Sequence, residues 1–411
     1  MNQALRECGQ VRFYSCMTRI RLSALGLFLS LFFILATVFV VMAAPSEKPG
    51  KYLLYVGTYT KEGSASKGIY GYRFDAATGE STPLGLVAET TNPSFVALSP
   101  DGRFLYAVNE LDNYQGAHTG GVSAFSVDRP SGRLTFLNEV GSRGADPCYI
   151  IVDKSGKHVL VANYVGDSVA VFPVLEDGKL GEASDFIAPR TGHGANLQRQ
   201  EAPHAHSIDL SPNNRFAFVD DLGLDELFVY KFDSAEGTLT PNNPPSVKFD
   251  AGAGPRHLVF GPSGKFAYVI AEMASTITVF SLDQRTGATL PRQKVSTLPK
   301  GFADGSDAAE IRIAPSGKFL YASNRRHDSI TVFAIDSQKG TLTQIDNTAT
   351  QGKIPRSFDI DPSGNFLLAA NQKSDDIVVF RIDQETGRLA ATGQTLKVGS
   401  PVCVKFMAAA Q

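Results

Sequence analysis

Seven side chains in this sequence could move protons or hold negative charge, and all sit in similar local contexts. His204 and His206 lie in "PHAHSIDL", Arg256 in "GPRHLVF", Glu272 ends "AYVIAE", Arg325 ends "YASNR", Arg356 lies in "IPRSFDI" and Lys373 in "NQK". An imidazole or carboxylate can take a proton from water. Guanidinium forks match carboxylates, phosphates and developing oxyanions. Taken singly, each residue would most simply pair with a carbonyl or carboxylate and serve the fold. Several arginines brought together with a His and a Glu are harder to explain that way, because burying so much charge is costly unless a ligand or ion pairs occupy the site. Such a cluster favours an anionic or oxyanion-forming ligand. Metal chemistry is not expected: histidines at i and i+2 of an extended strand face opposite ways, and thiolate or grouped carboxylate ligands are not evident. No Gly-x-Ser-x-Gly nucleophile elbow occurs, and no cofactor is implied.

What positions these residues is a repeat. "NPSFVALSPDGRFLYAVNE" recurs as "DPCYIIVDKSGKHVLVANY", "AHSIDLSPNNRFAFVDD", "GPRHLVFGPSGKFAYVIAE", "AAEIRIAPSGKFLYASNR" and "IPRSFDIDPSGNFLLAANQ". Its turn residues Gly102, Gly156, Asn214, Gly264, Gly317 and Gly364 are spaced by 54, 58, 50, 53 and 47. A period near fifty in a β-rich chain signals a propeller or similar array. Each unit carries four strand signals joined by turns of the Pro-x-Gly kind, the pattern of a four-stranded antiparallel blade. The ends supply a seventh unit. "KYLLYVGTYT" and "GIYGYRFDAATGE" resemble second and third strands lacking a first, and "SPVCVKF" resembles a first strand with nothing after it. The expected fold is therefore all-β, a seven-bladed propeller of four-stranded antiparallel blades, closed by the C-terminal strand joining the N-terminal ones. The chain has no Trp and no Gly-His…Trp-Asp signature, which argues against a WD-repeat propeller.

In a blade the first strand lines the central channel, and antiparallel pairing places its start beside the end of the second strand. The residues aligned with the position just after the Pro that opens strand one, a place Ala205 and Ala308 take in two copies, are Ser94, Cys148, His206, Arg256, Ala309, Arg356 and Val402. Those just past strand two are Tyr59, Glu110, Tyr164, Asp221, Glu272, Arg325 and Gln372. His206, Arg256, Arg356, Glu272 and Arg325 should thus meet at one mouth of the channel. His257 and Glu310, one residue further along, should point to the alternate face. An insertion at about 188–202 carrying His193 is placed to cover the mouth. Cys148 and Cys403 fall in blades separated by a whole blade and are expected to be free thiols.

The first fifty residues differ in kind. Arg19 and Arg21 precede an uncharged apolar run from Leu22 to Met42, followed by Ala43 and Ala44. Residues 1–44 read as an export signal cleaved near Ala43 or Ala44, or as an uncleaved membrane anchor, since the run is long enough to span a bilayer. Residues 45–50 form a linker and 51–411 the folded body, expected in the periplasm or secreted. Any membrane contact would be through the apolar run alone. A net charge of −2 gives no sign of a nucleic-acid surface.

The ordered segments "PHAHSIDLSPNNR", "GAGPRHLVFGPSGKFAYVIAE", "AAEIRIAPSGKFLYASNRRHDSITVF" and "PRSFDIDPSGNFLLAANQ" resemble the bacterial 6-phosphogluconolactonase family of seven-bladed propellers over about residues 51–407. A related fungal enzyme forms a lactone from carboxymuconate. The resemblance implies lactone-ring chemistry without a required metal; the expectation is a monomer that hydrolyses a small sugar-type lactone, anionic as the arginine cluster favours. Its proposed site residues match His206 (or His204), Arg256, Glu272 and Arg325. On this reading Glu272 or His206 activates water, Arg256 and Arg325 stabilise the oxyanion, and His204, Arg356 and Lys373 bind the substrate. A non-catalytic exported propeller that binds an anion or a protein, and a lactonising isomerase, are the alternatives. The leader is the departure from the family: phosphorylated sugar lactones arise in the cytosol, whereas this chain carries an export-type segment.

Overall fold

The computed structural model describes residues 50–302 and 304–409. The expected leader, residues 1–44, lies outside them. The described chain forms seven four-stranded antiparallel sheets. Their innermost strands are Val96–Leu98, Pro147–Val152, Ala205–Leu210, Pro255–Phe260, Asp307–Ile313, Pro355–Ile360 and Pro401–Ala408. These touch one another in order around an axis, and Pro401–Ala408 lies against both Pro355–Ile360 and Val96–Leu98. The ring closes as expected. Pro401–Ala408 pairs with Lys51–Thr58 through Leu53↔Met407, Tyr55↔Lys405 and Gly57↔Cys403. Closure in this way completes the seventh sheet, so that Lys51–Thr58 is paired on both sides.

Local sequence explains the blades. Second strands such as Phe104–Asn109 and His158–Asn163 are buried along their whole length, since neighbouring blades cover both faces, and they read as continuous apolar runs. Outer strands such as Arg133–Gly141 have no buried residue and mix polar with apolar side chains. The turn between first and second strands needs a left-handed residue. Gly102, Gly156, Gly264, Gly317 and Gly364 supply it with φ of 67° to 77°, and Asn214 supplies it in the remaining copy with φ 60°. Cys148 and Cys403 are both buried and unpaired.

One device was not foreseen. First and second strands lose register by one residue between Pro147 and Tyr149, Ala205 and Ser207, Pro255 and His257, and Pro355 and Ser357. The same happens opposite Thr58, where Val402 is skipped, and between Ala308 and Ile311, where two residues are skipped. The extra residue of each bulge is Cys148, His206, Arg256, Arg356 or Val402, and in one blade the pair Ala309 and Glu310. They follow the opening Pro, or Ala205 and Ala308 where these stand in its place. A bulge re-aims a side chain and commonly does so beside active sites.

Candidate active site

The bulges overturn one expectation. His257 and Glu310 do not face away from the axis. The His257 ring meets Phe95, Tyr149 and His206 from three other blades, at centroid distances of 5.8, 4.8 and 5.3 Å. Arg256 and His257, although adjacent, both turn inward, with Arg256 Nη1 3.0 Å from His257 Nε2. Strict alternation fails because the bulged residue is outside the pleat.

At the mouth, Glu272 is the centre of a charge cluster. Its Oε2 receives Arg256 Nε at 3.0 Å and Arg325 Nη2 at 2.7 Å, and its Oε1 receives Arg199 Nη2 at 2.5 Å. His206 Nε2 stands 3.9 Å from Oε2. Burial would raise the pKa of Glu272, but Arg325, Arg256, His206 and Arg199 outweigh it and hold the carboxyl well below its usual range. Burial, followed by the charges of Arg256 and His257, keeps His206 well below the ordinary histidine value. At neutral pH the site therefore holds an ionised Glu272 and a neutral His206.

Glu272, His206, Arg325 and Arg199 line a cavity of about 320 Å³, together with Arg356, Tyr164, Cys148, Glu110 and Asp146. Arg356 differs from the other arginines. Among the described residues its guanidinium makes no hydrogen bond or ion pair, and it stands over the Tyr59 ring, 5.7 Å from the centroid. Although burial opposes it, the nearby Tyr59, Glu110 and Glu272 raise its pKa, so it stays charged. The Tyr59 hydroxyl meanwhile donates to Glu110, with oxygens at 2.8 and 2.9 Å.

The structure gathers His206, Glu272, Arg325 and Arg356 on this cavity wall. Arg256 lies behind Glu272, lining a much smaller space, with Nη1 donating to the Ala309 carbonyl at 2.6 Å. Its Nε and Nη1 are thus engaged by protein groups. His204 is not on the cavity wall: its ring stacks on Tyr164 at 4.3 Å, Nδ1 meets the Tyr164 carbonyl at 3.1 Å, and Nε2 meets Glu201 at 3.3 Å. Lys373 is exposed and lines none of this cavity. His193 is exposed too, with Nδ1 on the carbonyl of Gly194. The insertion does reach the mouth, but through Arg199. Its position before "PHAH" was the available signal, since chain that leads straight into an inner strand must pass the mouth.

Below the mouth, a second cluster occupies the axis. Glu310 Oε1 takes His257 Nδ1 at 3.0 Å and Arg312 Nη1 at 2.9 Å, and Arg312 Nε lies 3.6 Å from Asp359. The Tyr149 hydroxyl donates to Asp209 at 3.1 Å.

Three comparisons bear on this geometry. The family described as "Lactonase, 7-bladed beta-propeller" matches residues 53–406. The 6-phosphogluconolactonase of Bacillus subtilis is 39% identical over 357 residues, covering 87% of this chain and 99% of that protein. The 6-phosphogluconolactonase of Formosa agariphila is 37% identical over 310 residues, 75% of this chain and 86% of that one. A solved structure from Pseudomonas aeruginosa, described as a periplasmic gluconolactonase, superposes with a TM-score of 0.81 at 36% identity, covering 88% of this chain and all of that one.

Proposed function

The chain belongs to the seven-bladed β-propeller lactonase family, whose match spans residues 53–406, and from that premise we propose that it hydrolyses a sugar-type lactone at the mouth built around Glu272. The observation that carries the reading is a neutral His206 beside an ionised Glu272, on a cavity wall that also presents an unpartnered Arg356. His206 takes a proton from water as the water oxygen bonds to the lactone carbonyl carbon. Glu272, 3.9 Å from His206 Nε2, steadies the imidazolium that forms. The carbonyl electron pair moves to oxygen, which Arg325 stabilises from the same wall. The ring C–O bond then breaks, and His206 returns the proton to the leaving ring oxygen. The product is a hydroxy acid, which ionises at neutral pH.

The remaining residues take supporting roles. Arg256 keeps Glu272 in place. Arg356 pairs with an anionic group of the substrate, and the Glu110 and Asp146 carboxylates accept hydrogen bonds from sugar hydroxyls. His204 holds Tyr164, and Lys373 takes no part. The enzyme works as a monomer outside the cytoplasm, a placement supported by the apolar run after Arg19 and Arg21 and by the periplasmic relative. Acid release from a panel of lactones, followed with a pH indicator above the spontaneous rate, is the test. Turnover of sugar δ-lactones is expected. Anion binding without release from any lactone would make the propeller a binding module, and lactone formation from an unsaturated diacid would make it an isomerase.

A further inference from the structure

Three arginines hold Glu272, and they are not equivalent. Arg256 and Arg325 share Oε2, belong to or adjoin inner-blade strands, and also donate to the carbonyls of Ala309 and Ala308 at 2.6 and 3.0 Å. Their side chains are 3% and 11% exposed. Arg199 alone reaches Oε1, comes from the insertion rather than a strand, and is 39% exposed. Its guanidinium holds Glu272 Oε1, and the Tyr164 hydroxyl beside it helps to support its charge. The backbone that carries it is fixed. Arg190 ties the start of the insertion to Asp167 at 2.5 Å and Asp221 at 3.0 Å. Gln200, the next residue after Arg199, donates to Leu222 and Asp225 at 2.8 and 2.7 Å. The segment is thus anchored at both ends, and the half-exposed Arg199 side chain lines the cavity.

We infer that Arg199 is a further catalytic residue, a substrate-responsive arginine that leaves Glu272 Oε1 for the carbonyl oxygen of the bound lactone. This rests on the lactonase reading above. In the empty site Arg199 balances the carboxylate. When a lactone carbonyl enters, the same guanidinium donates to that oxygen and, with Arg325, receives the charge that develops as water adds. Glu272 is left with one fewer cation and stabilises the imidazolium on His206 more strongly. One side-chain movement therefore supplies an oxyanion donor and strengthens the base, and only when substrate is present. No atom is gained or lost in the movement; the hydrolytic step balances as written above. A strand-borne arginine, fixed by a second carbonyl, could not do both.

The test compares the full-length wild type with Arg199→Ala and Arg199→Lys on the best lactone of the panel, measuring kcat, KM, melting and the pH profile. The proposal expects Arg199→Ala to lower kcat about a hundred- to a thousandfold, with KM changed far less and melting nearly unaltered. Arg199→Lys should recover part of kcat, because a cation that can reach is restored. The acid limb of kcat/KM should also shift to higher pH in Arg199→Ala, since Glu272 without its Oε1 partner raises the pKa of His206 in the free enzyme. A merely structural Arg199 would lose activity only in step with stability, with kcat per folded molecule near wild type. Wild-type kcat in Arg199→Ala, or an unmoved limb, overturns the inference and leaves the lactonase reading standing. Inactivity of the wild type on every lactone overturns the lactonase reading itself, and the inference with it.

Discussion

Two glutamates lie on the propeller axis, and both are buried and both hold cations. Glu272 at the mouth is clamped by Arg199, Arg256 and Arg325. Glu310, deeper, is held by His257 and Arg312. By charge and burial alone they would be equal candidates. They differ in access. Glu272 lines the 320 Å³ cavity, and one of its three partners comes from a half-open loop. Glu310 is fully buried and lines none of that space. A titratable cluster becomes a site where it meets a cavity and keeps donors to spare; without those it is structure. The deep cluster serves the mouth indirectly. Glu310 takes the His257 Nδ1 proton, which leaves Nε2 to face Arg256.

The largest effect should come from exchanging the charge at each centre for its amide. Glu272→Gln removes the group that steadies the His206 imidazolium and should cost about a thousandfold in kcat/KM. Glu310→Gln breaks a buried pair and should cost stability, about 3–5 kcal/mol, with activity per folded molecule within about tenfold. Rate and melting, measured on both variants, check the contrast. If the losses fall the other way round, with Glu310→Gln the inactive variant, the division into site and support is wrong.

Much of this contrast was legible in the sequence. The repeat gave the blade count, the unmatched ends gave the closure, and the position after the opening Pro gave His206, Arg256 and Arg356 as a convergent set. Two features were not legible, each for a physical reason. The bulge after each opening Pro carries no residue type of its own, being filled by Cys148, His206, Arg256, Arg356 and Val402 alike. Period-two reasoning therefore sent His257 and Glu310 the wrong way. Arg199 reaches a partner 73 residues away from a segment without regular structure, and no periodicity reports such a contact. His204 and Lys373 lie off the cavity wall for the converse reason: proximity in sequence to a site residue does not determine which way a side chain points.

A middle-sized effect should distinguish Arg356 from the clamped arginines. It has no ion pair to break among the described residues, so Arg356→Ala should barely change melting. Losing one charge-assisted hydrogen bond to the substrate should raise KM about ten- to a hundredfold, for anionic lactones more than for neutral ones, with kcat little altered. Steady-state kinetics on a matched charged and neutral lactone pair checks this. Equal KM changes for both would remove Arg356 from anion recognition.

The smallest effect tests the deep cluster by pH. Burial raises Asp209 from 3.8 to about 7, against the lowering effects of the Tyr149 hydrogen bond and Arg312; Glu310 raises it further and Lys405 lowers it. Its Oδ2 has no partner among the described residues, so that oxygen can carry the proton, while Oδ1 accepts from Tyr149. Between pH 3.8 and about 7 the folded protein keeps this proton and the unfolded chain has lost it. The native state then binds more protons, so this residue makes stability fall as pH rises through that window, levelling above it. Asparagine keeps the acceptor for Tyr149 and cannot ionise. Asp209→Asn should therefore melt close to wild type at pH 4 and a few degrees above it at pH 8, with kcat unchanged, because the residue does not line the cavity. Melting curves across that range decide it. A constant offset at every pH would show that Asp209 is ionised in the fold, and that the deep cluster holds its charges as openly as the mouth does.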